Sequence, residues 1–186
     1  MGNGSGPRVA EDFPQVIARF PRVSVDTNVC IYFLGQVRPW FDACATVFEH
    51  AAARRTRIEL CGIVQLELLV GTFARPDSNE RRRIVDLTER TNGIVTTPIS
   101  RDALFAAAQL RALTGLKTPD ALIVASAALD RSEAIIGNDK AFARVNALQN
   151  MSLLDRGTRR ITMPHYIHLD DYVEAPRTAR ARKTDG

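Results

Sequence analysis

Residues 23–28 read Val23-Ser24-Val25-Asp26-Thr27-Asn28. The β-branched run from Arg22 to Val25 is typical of a short buried strand. Asp26 follows at once, and an aspartate at this point can cap a helix that begins at Thr27 or Asn28. The stretch therefore predicts a strand that runs directly into a helix, with Asp26 at the carboxyl end of the strand.

The same alternation of strand and helix patterns continues along the chain. Further strands are predicted at residues 58–63, 94–99 and 134–136, with 151–154 as a candidate fifth. Helices are predicted from 28, and at 40–54, 65–73, 79–90, 101–113 and 118–129. Strands separated by helices need crossover connections, which give parallel pairing. We therefore predict an α/β fold of three layers, Rossmann-like, with a mainly parallel central sheet flanked by helices.

The helix predicted at residues 118–129 has a clear start. Thr118, Pro119 and Asp120 place a hydroxyl at the N-cap, a proline at the first helical position and an acid at the second. The residues that follow are apolar almost all round the helix, which indicates burial on every side.

The length of 186 residues fits one domain with extensions. We predict an N-terminal arm at 1–20, a globular domain at 21–155, a C-terminal extension at 156–175 that packs on the domain, and a basic disordered tail at 176–186. Residues 160–173 of the extension can supply an edge strand.

The net charge of +4 is weak evidence for a nucleic-acid partner, because residues 177–186 alone carry +3. The basic groups at 54–57 and 81–83 could follow a phosphate backbone, but such groups are more typical of solvated helix faces. The odd count of three cysteines, without a CxxC pair, favours reduced thiols. No apolar run is long enough for a membrane span and the first residues do not resemble a secretory signal, so we expect a cytoplasmic protein with no membrane partner.

Four acids are predicted to meet at one end of the sheet, where open α/β sheets bind ligands. Asp26 and Asp139 follow the first and fourth strands, Glu67 lies early in the helix after the second strand, and Asp120 lies in the first turn of the buried helix. Alone, each aspartate also fits a structural role in a cap or turn. Together, carboxylates repel one another and lose hydration, and a hard divalent cation such as Mg²⁺ resolves both costs.

These motifs, taken in order, resemble the PIN-domain family over residues 23–154. The matching features are Asp26-Thr27-Asn28 after a strand, Glu67 on a helix, Asp120 opening an Ala/Ile-rich helix, and Gly137-Asn138-Asp139 after a strand. The family often has Thr or Ser where this chain has Gly137, and that departure leaves open a member of low activity.

The resemblance implies a PIN fold and an Mg²⁺- or Mn²⁺-dependent endoribonuclease, specifically a VapC-like toxin with an RNA substrate, a cognate antitoxin and a homodimeric state. It implies metal ligation and catalysis by Asp26, Glu67, Asp120 and Asp139, with Thr27, Asn28 and Asn138 in supporting or substrate-binding roles. Two alternatives remain: a degenerate, non-catalytic module that binds RNA or a protein, and a phosphatase-like phosphotransfer enzyme. The second is disfavoured because haloacid-dehalogenase-like enzymes need an acid at the position of Asn28.

Overall fold

A parallel five-stranded sheet forms the centre of the molecule. The computed structural model describes residues 12–148, 153–154 and 160–173. Its strands are β1 (Arg22–Val25), β2 (Arg57–Cys61), β3 (Ile94–Thr97), β4 (Ala134–Gly137), β5 (Leu153–Leu154), β6 (Arg160–Ile161) and β7 (His165–His168). The central sheet has the order β3-β2-β1-β4-β7, and each neighbouring pair is parallel. The predicted α/β class with a mainly parallel sheet is confirmed.

Helices connect the strands and flank the sheet. They are α1 (Phe13–Ile17), α2 (Thr27–Leu34), α3 (Phe41–Ala52), α4 (Gly62–Ala74), α5 (Ser78–Val85), α6 (Arg101–Thr114), α7 (Thr118–Leu129) and α8 (Ala143–Asn146). A π-helical turn, Asp86–Arg90, continues α5, and 3₁₀ turns lie at Lys140–Phe142 and Leu169–Tyr172. In α7 every residue from 121 to 128 is buried, as its apolar sequence predicts.

Several element boundaries differ from the sequence prediction by a few residues, and three of them lie near the carboxyl end of the sheet or at the start of the buried helix. The second strand ends at Cys61, so Ile63 is helical, because α4 begins directly after the strand without a loop. The third strand ends at Thr97. In α7 the N-cap is Lys117, because its carbonyl accepts the first helical hydrogen bond, from the amide of Ala121. Asp120 is consequently the third helical residue.

The candidate fifth strand at 151–154 is a wrong prediction for the central sheet. Residues 151 and 152 lie outside the described part of the chain, and β5 pairs antiparallel with β6 in a separate two-stranded sheet. The fifth central strand is β7, which lies within residues 160–173 and pairs with β4 from Ala134↔His165 to Gly137↔His168. The prediction that residues 160–173 supply an edge strand is thus confirmed.

The N-terminal helix packs against the end of the described chain. Phe13, Val16 and Ile17 of α1 are buried, and the ring of Phe13 lies 4.9 Å from that of Tyr172. Residues 1–11 of the predicted arm and the whole predicted tail, 176–186, lie outside the described residues. Every helix that is described falls short of the length and apolar character of a membrane span.

Candidate active site

Asp26 lies at the carboxyl end of β1, in the middle of the sheet. Its amide donates to the carbonyl of Ile136 on β4 (2.9 Å), which continues the pairing of the two strands. Its Oδ1 accepts from the amide of Thr27 (2.7 Å), so the side chain caps α2. The residue is only 5% exposed. Asp26 is thus a buried carboxylate whose position is fixed by both the strand and the helix.

Glu67 reaches Asp26 through Thr27. Because α4 begins immediately after β2, Glu67 falls in the second helical turn, still close to the carboxyl end of the sheet. The hydroxyl of Thr27 donates a hydrogen bond to Oε2 of Glu67. Thr27 therefore contacts two of the predicted acids, one through its amide and one through its side chain.

The turn after β4 carries Asn138 and Asp139. The side-chain Nδ2 of Asn28 donates to Oδ1 of Asn138 (3.2 Å), whose own Nδ2 donates to the hydroxyl of Tyr32 (2.7 Å). Asp139 accepts at Oδ1 from the amide of Ala141 (2.8 Å), which caps the following 3₁₀ turn. Side chains of α2 thus hold the turn that presents Asp139.

The four acids are electrostatic neighbours. Burial and, to a smaller extent, the negative charges of Asp120, Asp139 and Glu67 together raise the pKa of Asp26 to about 6, against the hydrogen bond from Thr27. Burial also raises the pKa of Asp120, with contributions from Asp139 and Glu67 and an opposing one from Lys117. Each of the four acids that the sequence singles out therefore lies within electrostatic range of at least two of the others.

The carboxylate oxygen atoms of the four acids do not converge on one point in this structure. Across residues 12–148 and 160–173, no three Asp, Glu, His or Cys side chains are placed so that they could hold one metal ion. The carboxylates of Asp26, Glu67 and Asp139 are each held by a protein hydrogen-bond donor instead. As a donor set, four mutually repelling carboxylates suit a hard divalent cation such as Mg²⁺ or Mn²⁺. Shared ligation requires these side chains to turn toward one another.

Gly137 leaves room for Asp26. A Cβ atom at Gly137 would lie 3.0 Å from Cβ of Asp26, 3.5 Å from its Oδ2 and 3.4 Å from the hydroxyl oxygen of Tyr166. The hydroxyl of Tyr166 donates to the backbone carbonyl of Asp139 (2.9 Å). Burial and the charges of Asp26 and Asp139 raise the pKa of Tyr166, so its hydroxyl remains a donor.

One further buried acid lies away from this group. Glu59, in the middle of β2, is 4% exposed and pairs with Nε of Arg57 (2.7 Å) and of Arg22 (3.6 Å). Burial raises its pKa, while the two arginines act in the opposite direction. Glu59 thus has its own cations, in contrast to Asp26, whose pKa, among the described residues, is affected by neighbouring acids and by no cation.

The three cysteines are free and buried, as the sequence predicts for core thiols. Burial raises the pKa of all three, and that of Cys44 reaches about 12. Their thiols therefore stay protonated and take no part in the acidic group.

Two residues of the site, Tyr32 and Tyr166, escape the sequence analysis. Tyr32 lies four residues after Asn28 on the same helix, so helical spacing could have placed it beside Asn138. Tyr166 carries no such signal, because it joins the site only through the pairing of β7 with β4.

Comparisons with known proteins agree with this architecture. The family model of the PIN domain matches residues 23–148. The chain is similar to VapBC2 from Rickettsia felis bound to a DNA fragment from their promoter, with 20% identity, coverage of 66% of this chain and 92% of that chain, and a TM-score of 0.54. It is also similar to VapBC-1 from nontypeable Haemophilus influenzae (18% identity) and to DNA-bound VapBC from Salmonella typhimurium (17% identity), each with coverage of 80% and 98% and a TM-score of 0.52. Likeness at these identities shows a shared fold, and no curated protein matches the chain in sequence.

Proposed function

This chain belongs to the PIN-domain family, whose members are typically nucleases, and from that premise we propose that it is a metal-dependent endoribonuclease. The observation that supports the proposal most directly is the raised pKa of Asp26, a buried carboxylate with other acids near it. Three further acids act on this buried carboxylate, and each raises its pKa. A protein tolerates such a group when a cation binds there in use.

In this proposal Asp26, Glu67, Asp120 and Asp139 hold Mg²⁺ or Mn²⁺. When bound, the ion lowers the pKa of its water and stabilises charge on the phosphate oxygens. Thr27 orients Asp26 and Glu67 through its amide and hydroxyl groups.

The supporting residues proposed from the sequence are Asn28 and Asn138. Their mutual hydrogen bond joins α2 to the turn after β4. In this proposal Asn28 and Asn138 keep the Asp139 turn in register with Asp26 and support the site, or contact the substrate.

The test is cleavage of structured and unstructured single-stranded RNAs by the purified protein. We expect cleavage with Mn²⁺ or Mg²⁺ and none with EDTA. Asp26→Asn and Asp120→Asn should each lower the rate by roughly 100-fold or more, as loss of a group that stabilises transition-state charge does. Glu59→Gln is the matched control, because it also neutralises a buried acid, and it should keep the wild-type rate. Cleavage that survives both aspartate substitutions would reject this site.

A non-catalytic binding module is the second candidate. It is favoured by one observation: among the described residues, no three acidic side chains are close enough together to bind one metal ion. Titration of the protein with Mn²⁺ in a calorimeter separates the two functions, because the module predicts no binding heat and the nuclease predicts heat that Asp26→Asn removes.

We extend the proposal to a toxin with a cognate antitoxin. The likeness in fold to VapBC proteins supports it. A groove of about 580 Å³ adjoins the candidate site; it is lined by apolar and charged side chains of α2, α4 and α5, among them Ile31, Leu34, Leu68, Glu67 and Glu80. Such a lining suits an apolar segment that carries a positive charge. Co-expression with a small protein encoded beside this chain should give a stable complex that Ile31→Glu weakens; a complex indifferent to that substitution would move the binding site elsewhere.

We also propose a homodimer. Leu66, Val70 and Phe73 form an exposed apolar stripe on α4, 55%, 57% and 64% exposed respectively. Their spacing puts them on one helix face, apart from the groove, and a self-complementary stripe suits a two-fold interface. Sedimentation should show a dimer that Val70→Asp dissociates, and a monomeric wild-type protein at micromolar concentration would exclude it.

A further inference from the structure

We propose that Tyr166 is a positioning residue of the acidic site, and that its hydroxyl fixes the turn that presents Asp139 beside Asp26. The inference rests on the proposed function. Tyr166 lies on β7, beyond residues 23–148 that the family model matches. A strand outside the matched region would thus complete the site.

The hydroxyl of Tyr166 lies between two elements that carry acids. It donates to the carbonyl of Asp139 (2.9 Å), at the residue that begins the 3₁₀ turn. It is also 3.4 Å from the point where a Gly137 Cβ would stand, and Oδ2 of Asp26 is 3.5 Å from the same point. One hydroxyl group is therefore hydrogen-bonded to the backbone of Asp139 and borders the space beside Gly137 that the side chain of Asp26 also borders.

The ring that carries this hydroxyl is held firmly. The amide of Tyr166 donates to Oδ1 of Asn146 (2.9 Å), and Nδ2 of Asn146 donates to the carbonyl of Tyr166 (3.4 Å). The ring stacks on Phe142, with centroids 5.4 Å apart. Phe142 and Asn146 both follow Asp139 in sequence. The segment after β4 therefore packs against Tyr166, the residue whose hydroxyl binds the first turn of that same segment.

A purely structural role would also bury this ring, so the test removes the hydroxyl and keeps the ring. Tyr166→Phe retains the stacking on Phe142 and loses only the hydrogen bond to Asp139. Tyr172→Phe is the matched control. It also removes one tyrosine hydroxyl, but the ring of Tyr172 packs on Phe13 of the N-terminal helix α1 and not on Phe142. Both variants should melt within a few degrees of the wild type.

Three readouts follow for each variant: amide hydrogen exchange, Mn²⁺ affinity by calorimetry, and kcat and KM for RNA. In Tyr166→Phe we expect faster exchange at the amide of Ala141, which Asp139 caps, and Mn²⁺ binding weakened roughly fivefold, the loss of one hydrogen bond. We expect kcat to fall and KM to stay the same, with no change in Tyr172→Phe. Wild-type exchange at Ala141 together with wild-type Mn²⁺ affinity in Tyr166→Phe would overturn the positioning role. A wild-type protein that neither binds Mn²⁺ nor cleaves RNA would overturn the proposed function instead, and the positioning role with it, whatever the exchange data show.

Discussion

Gly137 and Asp26 are in such close contact that a Cβ atom on Gly137 would lie 3.0 Å from Cβ of Asp26. The two residues face each other across the pairing of β4 with β1, and the amide of Asp26 donates to the carbonyl of Ile136. Neither backbone can therefore shift freely. In this chain the glycine at position 137 therefore gives space to the buried carboxylate of Asp26.

Gly137→Ala should destabilise the protein and impair the site. The added methyl group overpacks a buried contact, which costs about 1–3 kcal/mol of unfolding free energy. It also displaces Asp26, and we expect cleavage to slow by roughly tenfold or more, since small misplacements of reacting groups are costly. Chemical denaturation and RNA cleavage measure the two effects.

The matched control is Gly71→Ala on α4, where nothing lies within 4 Å of the added Cβ. Alanine in a helix interior is favoured over glycine by roughly 0.5–1 kcal/mol, so this variant should be as stable as the wild type or more so. Equal behaviour of the two variants would show that the space beside Asp26 is not constrained.

Thr27→Val should uncouple Glu67 from Asp26. Valine keeps the shape of threonine and the amide that donates to Asp26, but it loses the hydroxyl that donates to Glu67. We expect kcat to fall by about tenfold and Mn²⁺ affinity to weaken, because Glu67 is no longer oriented. Thr27→Ser keeps the hydroxyl and should retain most of the activity; a serine variant as poor as the valine variant would assign the role of Thr27 to packing.

The sequence predicts the proximity of the acids more directly than it predicts the place of Tyr166. Asp26 and Asp139 follow recognisable strands, and parallel strands bring their carboxyl ends together, so their proximity needs no knowledge of side-chain packing. Tyr166 is different, since its place depends on which strand pairs with β4 and on the register of that pairing. The start of α7 lies one residue before the predicted one for a local reason, because a threonine suited to capping is followed by a proline that is equally suited to the second helical position.

Stability without metal should depend on pH through Asp26. Its pKa is about 6 in the folded protein against 3.8 for the free side chain, so the folded state binds the proton more tightly. Protonated Asp26 therefore contributes fully to the stability of the fold below pH 3.8, the pKa of the free side chain. This contribution is lost as the pH rises from there through about 6. The corresponding cost at higher pH is at most about 3 kcal/mol.

Asp26→Asn removes that titration. In EDTA the melting temperature of the variant should match the wild type near pH 4 and exceed it increasingly up to pH 7, by at most roughly 6–12 °C for a chain of this size. Calorimetric melting across this range measures the difference. A variant that is less stable than the wild type at pH 7 would mean that the charge of Asp26 is compensated within the protein.

Divalent ions should reverse this cost. A cation that binds only the folded state stabilises it by about 2.7 kcal/mol at a concentration 100 times its dissociation constant, which raises the melting temperature by roughly 5–10 °C. We expect that rise for wild type with Mn²⁺ at pH 7, and its loss on adding EDTA. Asp26→Asn should show almost none of it. Glu59→Gln should show all of it, because Glu59 is paired with Arg57 rather than with the other acids. A rise of equal size in wild type and Asp26→Asn would place the bound ion outside the acidic group, and the catalytic assignment of these four acids would then fail.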